Sequence, residues 1–188
     1  ELRLPSKVAS QVILTFPRSA MIHDDLVAPI NDQITSEAYA SQLYLQMSMW
    51  AEDKGLPGAS KFFRGHVAEE MDHRNRLVDY LVECDAPVRL QAIPAPTAEF
   101  ESLVSIINAA YDHEKMVTEQ IDALASLALD RRDFNTFNML QWFIAEQREE
   151  LVLFRGIVDY MKLAGFTGGP GDALVNLDTF LLSQCHAH

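Results

Sequence analysis

The sequence predicts an all-α protein: a bundle of four long helices followed by a shorter fifth helix. Apolar residues recur at helical spacing through four long segments. Most of the 8 Gly and 8 Pro lie between these segments or at their ends. A chain of 188 residues with 48% apolar content is large enough for one domain with a substantial core.

Turn signals set the bounds of the predicted helices. A Gly-Leu-Pro-Gly turn at residues 55–58 ends the first helix, and three prolines between residues 87 and 96 interrupt the chain after the second. Asp133 is a candidate N-cap for the fourth helix, and the glycine cluster at 168–171 stops that helix. We therefore expect helices at about residues 26–53, 59–84, 98–129, 134–163 and 173–183.

The lengths of the connections predict the topology. Short turns join the first helix to the second and the third to the fourth, so each of these pairs is antiparallel. A helix of about 27 residues spans roughly 40 Å. The second linker, of about 13 residues at up to roughly 3.3 Å each, reaches about 43 Å. It can run the whole length of the bundle, so the second and third helices are expected to be parallel.

A carboxylate interrupts the apolar stripe of every long helix near its midpoint. Each of these glutamates has an apolar or aromatic residue seven positions before and after it; the four are Glu37, Glu70, Glu114 and Glu150, and their neighbours are Ile30, Tyr44, Phe63, Leu77, Ile107, Ile121, Phe143 and Ile157. Residues seven apart share one helix face, so the carboxylates are expected to converge at mid-height. Facing ionised carboxylates in an apolar interior are strongly unfavourable, and a bound polyvalent cation is the simplest compensation.

Glu70 and His73 form a Glu-x-x-His pair on adjacent turns of one helix face, where they can bind one ion together. Alone this motif is weak, and a solvated helix face is the alternative interpretation. Combined with a carboxylate from each of three other helices, it predicts a metal site. Oxygen donors with a single imidazole favour iron or manganese over a structural zinc.

Charge and cysteine usage exclude several classes of function. The net charge of -12 argues against nucleic-acid binding and against docking on an anionic membrane. No apolar run approaches the roughly 20 residues that a membrane-spanning helix needs. Cys84 and Cys185 do not form a CxxC pair, which excludes a zinc ribbon or a rubredoxin-type centre, and we expect two reduced intracellular thiols.

The N-terminal stretch differs in composition from the rest of the chain. Residues 2–23 contain no Asp or Glu but include Arg, Lys, Ser and Thr. This composition fits the remnant of an organelle transit peptide, and it fits a disordered or partner-binding arm equally well. We therefore divide the chain into an N-terminal extension, residues 1–23, and a helical domain, residues 24–188. The expected location is intracellular, in the cytoplasm or a plastid.

Four motifs carry a family resemblance. They are EAYASQLY at residues 37–44, HVAEEMDH at 66–73, YDHE at 111–114 and FNMLQWFIAEQREE at 137–150. In these motifs the chain resembles the ferritins, and most closely the bacterial-type non-haem ferritins, over roughly residues 26–165. The resemblance implies a ferritin-like four-helix bundle with one long B–C crossover and a short fifth C-terminal helix. It also implies a homo-oligomeric cage of 24 subunits.

The resemblance further implies a di-iron ferroxidase centre inside each subunit. Glu37, Glu70 and His73 would bind the first iron. Glu70, as a bridging ligand, would bind the second iron together with Glu114 and Glu150. The ligand set that the resemblance implies therefore consists of His73 and the four carboxylates that the helical spacing is expected to bring together.

Three further residues are expected beside this centre. Gln147 would lie close by as a hydrogen-bonding or weak ligand. Tyr44 aligns with a tyrosine that would hydrogen-bond a ligand or supply an electron, and Trp142 is expected near the same place. Ordinary core packing is the alternative for both aromatic residues.

A third iron site is implied by the resemblance and maps onto Glu69, Glu146 and Glu149. These residues lie one helical step away from the apolar stripe, so an exposed acidic face turned toward a cavity is the alternative. The fourth helix carries Gln147-x-x-Glu150 without a histidine. This departs from the bacterioferritin pattern, and no haem is expected.

The implied function is iron storage with ferroxidase activity. Fe(II) would be oxidised by O2 at the di-iron centre and stored as ferric oxo-hydroxide mineral inside the cage. Two alternatives stay open at this point. One is a di-iron peroxidase or oxygenase that acts on another substrate, and the other is a non-catalytic helical bundle that serves as a scaffold or sequesters iron.

Overall fold

The computed structural model describes residues 21–185, and that part of the chain is all-α, as predicted. It contains α1 (Asp24–Asp53), α2 (Pro57–Glu83), α3 (Leu103–Asp130), α4 (Phe134–Leu163) and α5 (Asp172–Gln184). Residues 1–20 lie outside the described residues, so the N-terminal extension stays a prediction. None of the described helices combines the length and apolar content needed to cross a bilayer.

Two helix starts differ from the sequence prediction. Helix α2 begins at Pro57, inside the expected turn, because proline is well suited to the first position of a helix. Helix α3 begins at Leu103, five residues later than the expected start near residue 98. Ser102 caps it, accepting a hydrogen bond from the Ser105 backbone N–H while its own backbone N–H donates to the Ser105 hydroxyl. The predicted N-cap of α4 is confirmed, since Asp133 accepts from the Thr136 backbone N–H.

The connection between α2 and α3 runs along α1 from one end of the bundle to the other. Near its beginning, the Asn31 side chain of α1 donates to the Pro87 carbonyl over 3.0 Å and accepts from the Arg89 backbone N–H over 2.5 Å. Near its end, Phe100 packs edge-on against Trp50, with 6.3 Å between ring centroids. The predicted crossover is confirmed, and α2 and α3 are therefore parallel.

The four glutamates that interrupt the apolar stripes, called the seam glutamates below, divide the core into two apolar clusters. The first apolar cluster contains Tyr44, Phe63, Ile107 and Ile157. The second apolar cluster contains Ile30, Leu77, Ile121 and Phe143. Each cluster thus takes one of the two neighbours that bracket each glutamate. The glutamates between them, with His73 and Gln147, are called the carboxylate layer below.

Helix α5 is fixed to the start of α2. The Asp178 carboxylate accepts hydrogen bonds from the backbone N–H groups of Gly58 (3.1 Å) and Ala59 (2.8 Å), so it caps α2 from a distant part of the chain. A Cβ atom at position 58 would lie 1.9 Å from the Asp178 carbonyl oxygen, so only glycine fits there. On the other side, Phe180 stacks on Tyr160 of α4 with ring centroids 4.1 Å apart.

Candidate metal centre

The carboxylate layer is almost completely shielded from water. Its members are no more than 3% exposed: Glu37, Glu70, His73, Glu114, Gln147 and Glu150. Each belongs to a long helix whose apolar stripe must face the core, so the side chain is buried with its apolar neighbours. The structure therefore brings together the residues that the sequence predicted would converge.

The Glu37, Glu70 and His73 side chains form a compact group within the layer. One ligand atom from each lies within 4.8 Å of the other two. His73 Nδ1 is 3.2 Å from Glu70 Oε2. On the opposite side, the Gln33 amide donates a hydrogen bond of 2.9 Å to Glu37 Oε1, whereas Glu37 Oε2 is buried without a hydrogen-bond partner. A cation bound between these three residues would satisfy that oxygen.

Glu114 is held by hydrogen bonds to both of its carboxylate oxygens. The Tyr44 hydroxyl donates to Oε1, and the Gln147 amide donates to Oε2 over 3.1 Å. Glu150 Oε2, in contrast, is buried without a hydrogen-bond partner. Tyr44 and Gln147 therefore fix the direction of one carboxylate, and Glu150 is left with an unsatisfied oxygen.

Burial raises the pKa values of three carboxyl groups in the layer. Burial, opposed by the Gln33 hydrogen bond and assisted by the charge of Glu114, raises the pKa of Glu37 to about 7. Burial raises the pKa of Glu150 to about 8, although nearby His66 opposes the shift. The pKa of Glu70 is raised well above its usual range, first by burial and then by the charges of Glu114 and Glu37. Without a cation, the layer retains protons that a cation would displace.

His73 behaves in the opposite way. Burial lowers the pKa of His73 to about 4, despite the nearby carboxylates of Glu69 and Asp72. The imidazole is therefore neutral at neutral pH, which is the form that binds metal ions. A neutral imidazole beside carboxylates with unsatisfied oxygens is a donor set that fits a transition-metal cation.

The two aromatic residues expected beside the centre lie there. Tyr44 is fully buried, and burial together with the charge of Glu114 raises its pKa well above the usual range, so it remains a phenol. The Trp142 ring packs edge-on against His73 with centroids 5.4 Å apart. The Arg76 guanidinium lies over the other part of the Trp142 ring, 3.9 Å from its centroid.

The residues of the predicted third site are placed unequally. Glu69 and Glu146 lie close together, with one ligand atom from each within 4.8 Å of the other and of His73. The side chain of Glu149 is 55% exposed and lies 3.7 Å from the Arg148 guanidinium. In this conformation His73, rather than Glu149, completes the group.

Two residues at the centre had no role in the sequence prediction. Gln33 orients Glu37, as described above. His66 is buried, with its Nδ1 atom 3.2 Å from Glu69 Oε2 and 3.8 Å from Glu150 Oε1. Each lies four positions before a seam glutamate, Gln33 before Glu37 and His66 before Glu70. That spacing places them on the same helix face and is the signal that would have found them.

The fold and this donor set define a four-helix-bundle protein with a candidate metal site in its core. Comparison with known proteins agrees: residues 27–164 match the ferritin-like domain. The chain is 43% identical to the bacterial non-heme ferritin of Campylobacter jejuni over 148 residues, which are 79% of this chain and 89% of that protein. It is 40% identical to the bacterial non-heme ferritin of Escherichia coli, over 79% of this chain and 90% of that protein.

Solved structures give the same answer. An open pore ferritin from Archaeoglobus fulgidus superimposes with a TM-score of 0.81 at 35% sequence identity, covering 87% of this chain and 98% of that one. The chain belongs to the ferritin family. The predicted resemblance to bacterial-type non-haem ferritins is confirmed.

Proposed function

We propose that the protein is an iron-storage ferritin that oxidises Fe(II) with O2 at a di-iron centre in the carboxylate layer. The observation that carries this proposal is the set of four buried carboxylates, from four helices, that face one another in a dry interior. Such an arrangement is unfavourable on its own and becomes favourable when cations bind. Family membership supports iron as the cation.

The residue roles follow the contacts in the layer. Glu37, Glu70 and His73 would hold the first iron, and Glu70 would bridge to a second iron held with Glu114 and Glu150. Because Gln33 occupies one oxygen of Glu37, that carboxylate would offer only its other oxygen to the metal. These assignments treat Fe(II) as the substrate of the site.

Two hydrogen-bond donors would orient a carboxylate ligand of the second iron. Gln147 and Tyr44 each donate to Glu114, so they would hold this carboxylate in place while the ligands around it move. Tyr44 would hydrogen-bond this ligand or supply an electron to the centre. The third iron site would use Glu69, Glu146 and Glu149, which requires Glu149 to turn away from Arg148.

Oxidation is favoured by the chemistry of the donors. Carboxylate oxygens stabilise Fe(III) more than Fe(II), so a site with one imidazole and several carboxylates favours loss of an electron from each iron. O2 accepts those electrons. Protons that the carboxylates release on binding iron would leave the layer, because the raised pKa values of Glu37 and Glu150 mean that both carry protons in the empty site.

Storage requires an enclosed space, which one subunit does not provide. We propose that subunits assemble as a homo-oligomeric 24-mer cage in which ferric oxo-hydroxide accumulates, inside the cell. Residues 24–188 would form the subunit and residues 1–23 an extension. The bacterial relatives support a cytoplasmic rather than a plastid location. We propose no haem as a cofactor of this protein.

The test is rapid oxidation of Fe(II) by the Glu70→Ala variant. Because Glu70 would bind both irons, we expect its loss to abolish the fast phase of oxidation in stopped-flow absorbance. The matched control is Glu119→Ala, which removes an exposed carboxylate from α3 and should oxidise Fe(II) at the wild-type rate. Unchanged oxidation in the Glu70 variant would reject the bridging role.

A second measurement separates storage from other di-iron chemistry. The wild-type protein is exposed in air to hundreds of Fe(II) ions per assembly, and we expect a soluble, electron-dense core in electron micrographs. Uptake that stops at about two irons per subunit would instead support an enzyme that acts on another substrate.

A further inference from the structure

A small pocket between α2 and the end of α5 leads from the surface to the edge of the carboxylate layer. Its volume is about 250 Å³, and it is lined by Phe62, Gly65, His66, Glu69, Gln184 and Cys185. At the far end, Cys185 is exposed to solvent and Gln184 is half-buried. The inner end is formed by His66, whose role the proposed ferroxidase reaction does not explain.

His66 is close to two carboxylates. One ligand atom each from His66, Glu69 and Glu150 lies within 4.8 Å of the other two. This group is separate from the group formed by Glu37, Glu70 and His73. It shares Glu150 with the proposed second iron site and contains no other residue of the di-iron centre.

This group contains a buried oxygen, Glu150 Oε2, that has no hydrogen-bond partner. His66 Nδ1 is also buried, and it lies 3.2 Å from Glu69 Oε2. A buried oxygen without a partner is unfavourable. The neutral imidazole nitrogen and the carboxylate oxygens are all electron-pair donors, so one cation between them would bind His66 Nδ1 and satisfy Glu150 Oε2.

The imidazole ring is held in position by three aromatic rings. Its centroid lies 4.7 Å from Phe62, 5.1 Å from Tyr44 and 5.5 Å from Phe154. These contacts fix the direction of Nδ1 toward the two carboxylates. A ligand whose orientation is set before binding loses little conformational entropy when a metal binds.

We propose that His66, Glu69 and Glu150 form an additional site for a first-row divalent cation of the class that includes Zn²⁺ and Fe²⁺. One imidazole, two carboxylates and a water molecule from the pocket give four ligands, a set typical of zinc sites with one open position. Hard cations such as Mg²⁺ and Ca²⁺ prefer oxygen ligands alone. The Cys185 thiol lies in the wall of the pocket but outside the ligand group.

Glu69 connects this site to the predicted third iron site. The same carboxylate also belongs to the group with His73 and Glu146. Because a carboxylate can bridge two cations with its two oxygens, a cation bound at His66 would share Glu69 with the predicted third iron site. The additional site and the third site are therefore neighbours with one ligand in common.

The experiment uses the assembled, metal-free protein and Zn²⁺ as the probe. Crystals are soaked in Zn²⁺ and anomalous diffraction is recorded at the zinc edge, and binding in solution is counted by calorimetry. We expect a zinc peak about 2.0–2.1 Å from His66 Nδ1. The His66→Phe variant should lack that peak and bind one Zn²⁺ fewer per subunit.

His113→Phe is the matched control. His113 is also a buried histidine that contacts Tyr44, and its Nε2 atom lacks a hydrogen-bond partner, but it belongs to no ligand group among the described residues. This variant should bind as many Zn²⁺ ions as the wild type. If the wild-type crystal shows no zinc at His66 and His66→Phe binds the wild-type number, the proposal is wrong.

Two further arms separate this site from the di-iron centre and identify its cation. His73→Phe should lose metal from the first iron site and keep the zinc peak at His66, so failure of one site does not imply failure of the other. An anaerobic soak in Fe²⁺ shows whether iron also binds at His66. Zinc without iron identifies a zinc site, and both metals identify a general divalent-cation site.

Discussion

The carboxylate layer and the first apolar cluster occupy equivalent positions of the same four helical stripes, yet they contribute to the protein in opposite ways. Phe63 and Ile107 bury apolar surface and stabilise the fold without any ligand. Glu70 and Glu114, seven residues further along the same helices, are equally buried and face other carboxylates. One helical stripe can therefore hold both an apolar core and a buried cluster of carboxyl groups.

The largest effect is expected from the apolar side. Phe63→Ala removes a fully buried ring and leaves a cavity, so it should lower the free energy of unfolding by roughly 3–5 kcal/mol. Urea denaturation of the metal-free protein measures this change. Phe134→Ala is the control, because Phe134 is 67% exposed and its loss should change stability by less than about 0.5 kcal/mol. Equal effects of the two variants would contradict the assignment of Phe63 to the core.

The carboxylate side should respond in the opposite direction. Replacing both Glu37 and its partner Gln33 by Leu removes a buried carboxyl group together with the amide hydrogen-bonded to it, and it continues the apolar stripe. The metal-free protein should gain roughly 1–4 kcal/mol in the same urea experiment, as is found when buried polar pairs are replaced by apolar residues. Glu119→Leu, at an exposed position, is the control. A loss of stability in the double variant would show that the layer is favourable without metal.

The next largest effect is expected in the pH dependence of the stability of the metal-free protein. This dependence should arise from the carboxylate layer and not from the apolar cluster. The pKa values of Glu37 and Glu150 rise from 4.5 to about 7 and about 8 in the folded protein. Between pH about 4.5 and about 8 the unfolded chain has therefore released protons that the folded protein retains, and stability falls as pH rises through this window.

Thermal melting in the presence of a chelator, at several pH values, measures this fall. Zn²⁺ or Fe²⁺ should flatten the curve, because a bound cation takes the place of the retained protons. A melting temperature of the metal-free protein that rises steadily from pH about 5 to about 8 would contradict the assigned direction of these shifts.

The smallest effect is expected at the outer edge of the first apolar cluster, where α5 meets the start of α2. Asp178→Ala removes the cap that α5 provides for α2 and should cost about 1 kcal/mol of stability at any metal content. Differential scanning calorimetry with and without metal measures it. Asp172→Ala, an exposed acidic residue in the first turn of α5, is the control. A metal-dependent effect of the Asp178 variant would indicate that α5 and the carboxylate layer are coupled.

Most of the fold follows from features that are visible in the sequence. Heptad spacing around Glu37 and Glu114 predicted both the burial of these residues and their convergence, because helical periodicity determines which side chains share a face. The start of α3 was placed too early. Residues 98–101 have ordinary helix propensity, and the Ser102–Ser105 capping box that excludes them depends on side-chain hydrogen bonds.

The site was predicted less completely than the fold. Spacing predicts that Gln33 and His66 face the interior, but it does not predict which polar atom each will contact. The grouping of Glu69 with His66 in one direction and with His73 and Glu146 in the other depends on side-chain rotamers and on the angles between helices. These quantities are set by packing across the bundle and leave no signal in a single sequence.

Gly58 connects the architecture to the site in an unexpected way. Because the Asp178 carbonyl occupies the space that a methyl group at position 58 would need, α5 can approach α2 only while that position is glycine. The C-terminal end of α5 forms the outer wall of the pocket beside His66. A one-carbon change at the start of α2 would therefore lift α5 and widen the approach to the buried imidazole, although position 58 itself touches no ligand.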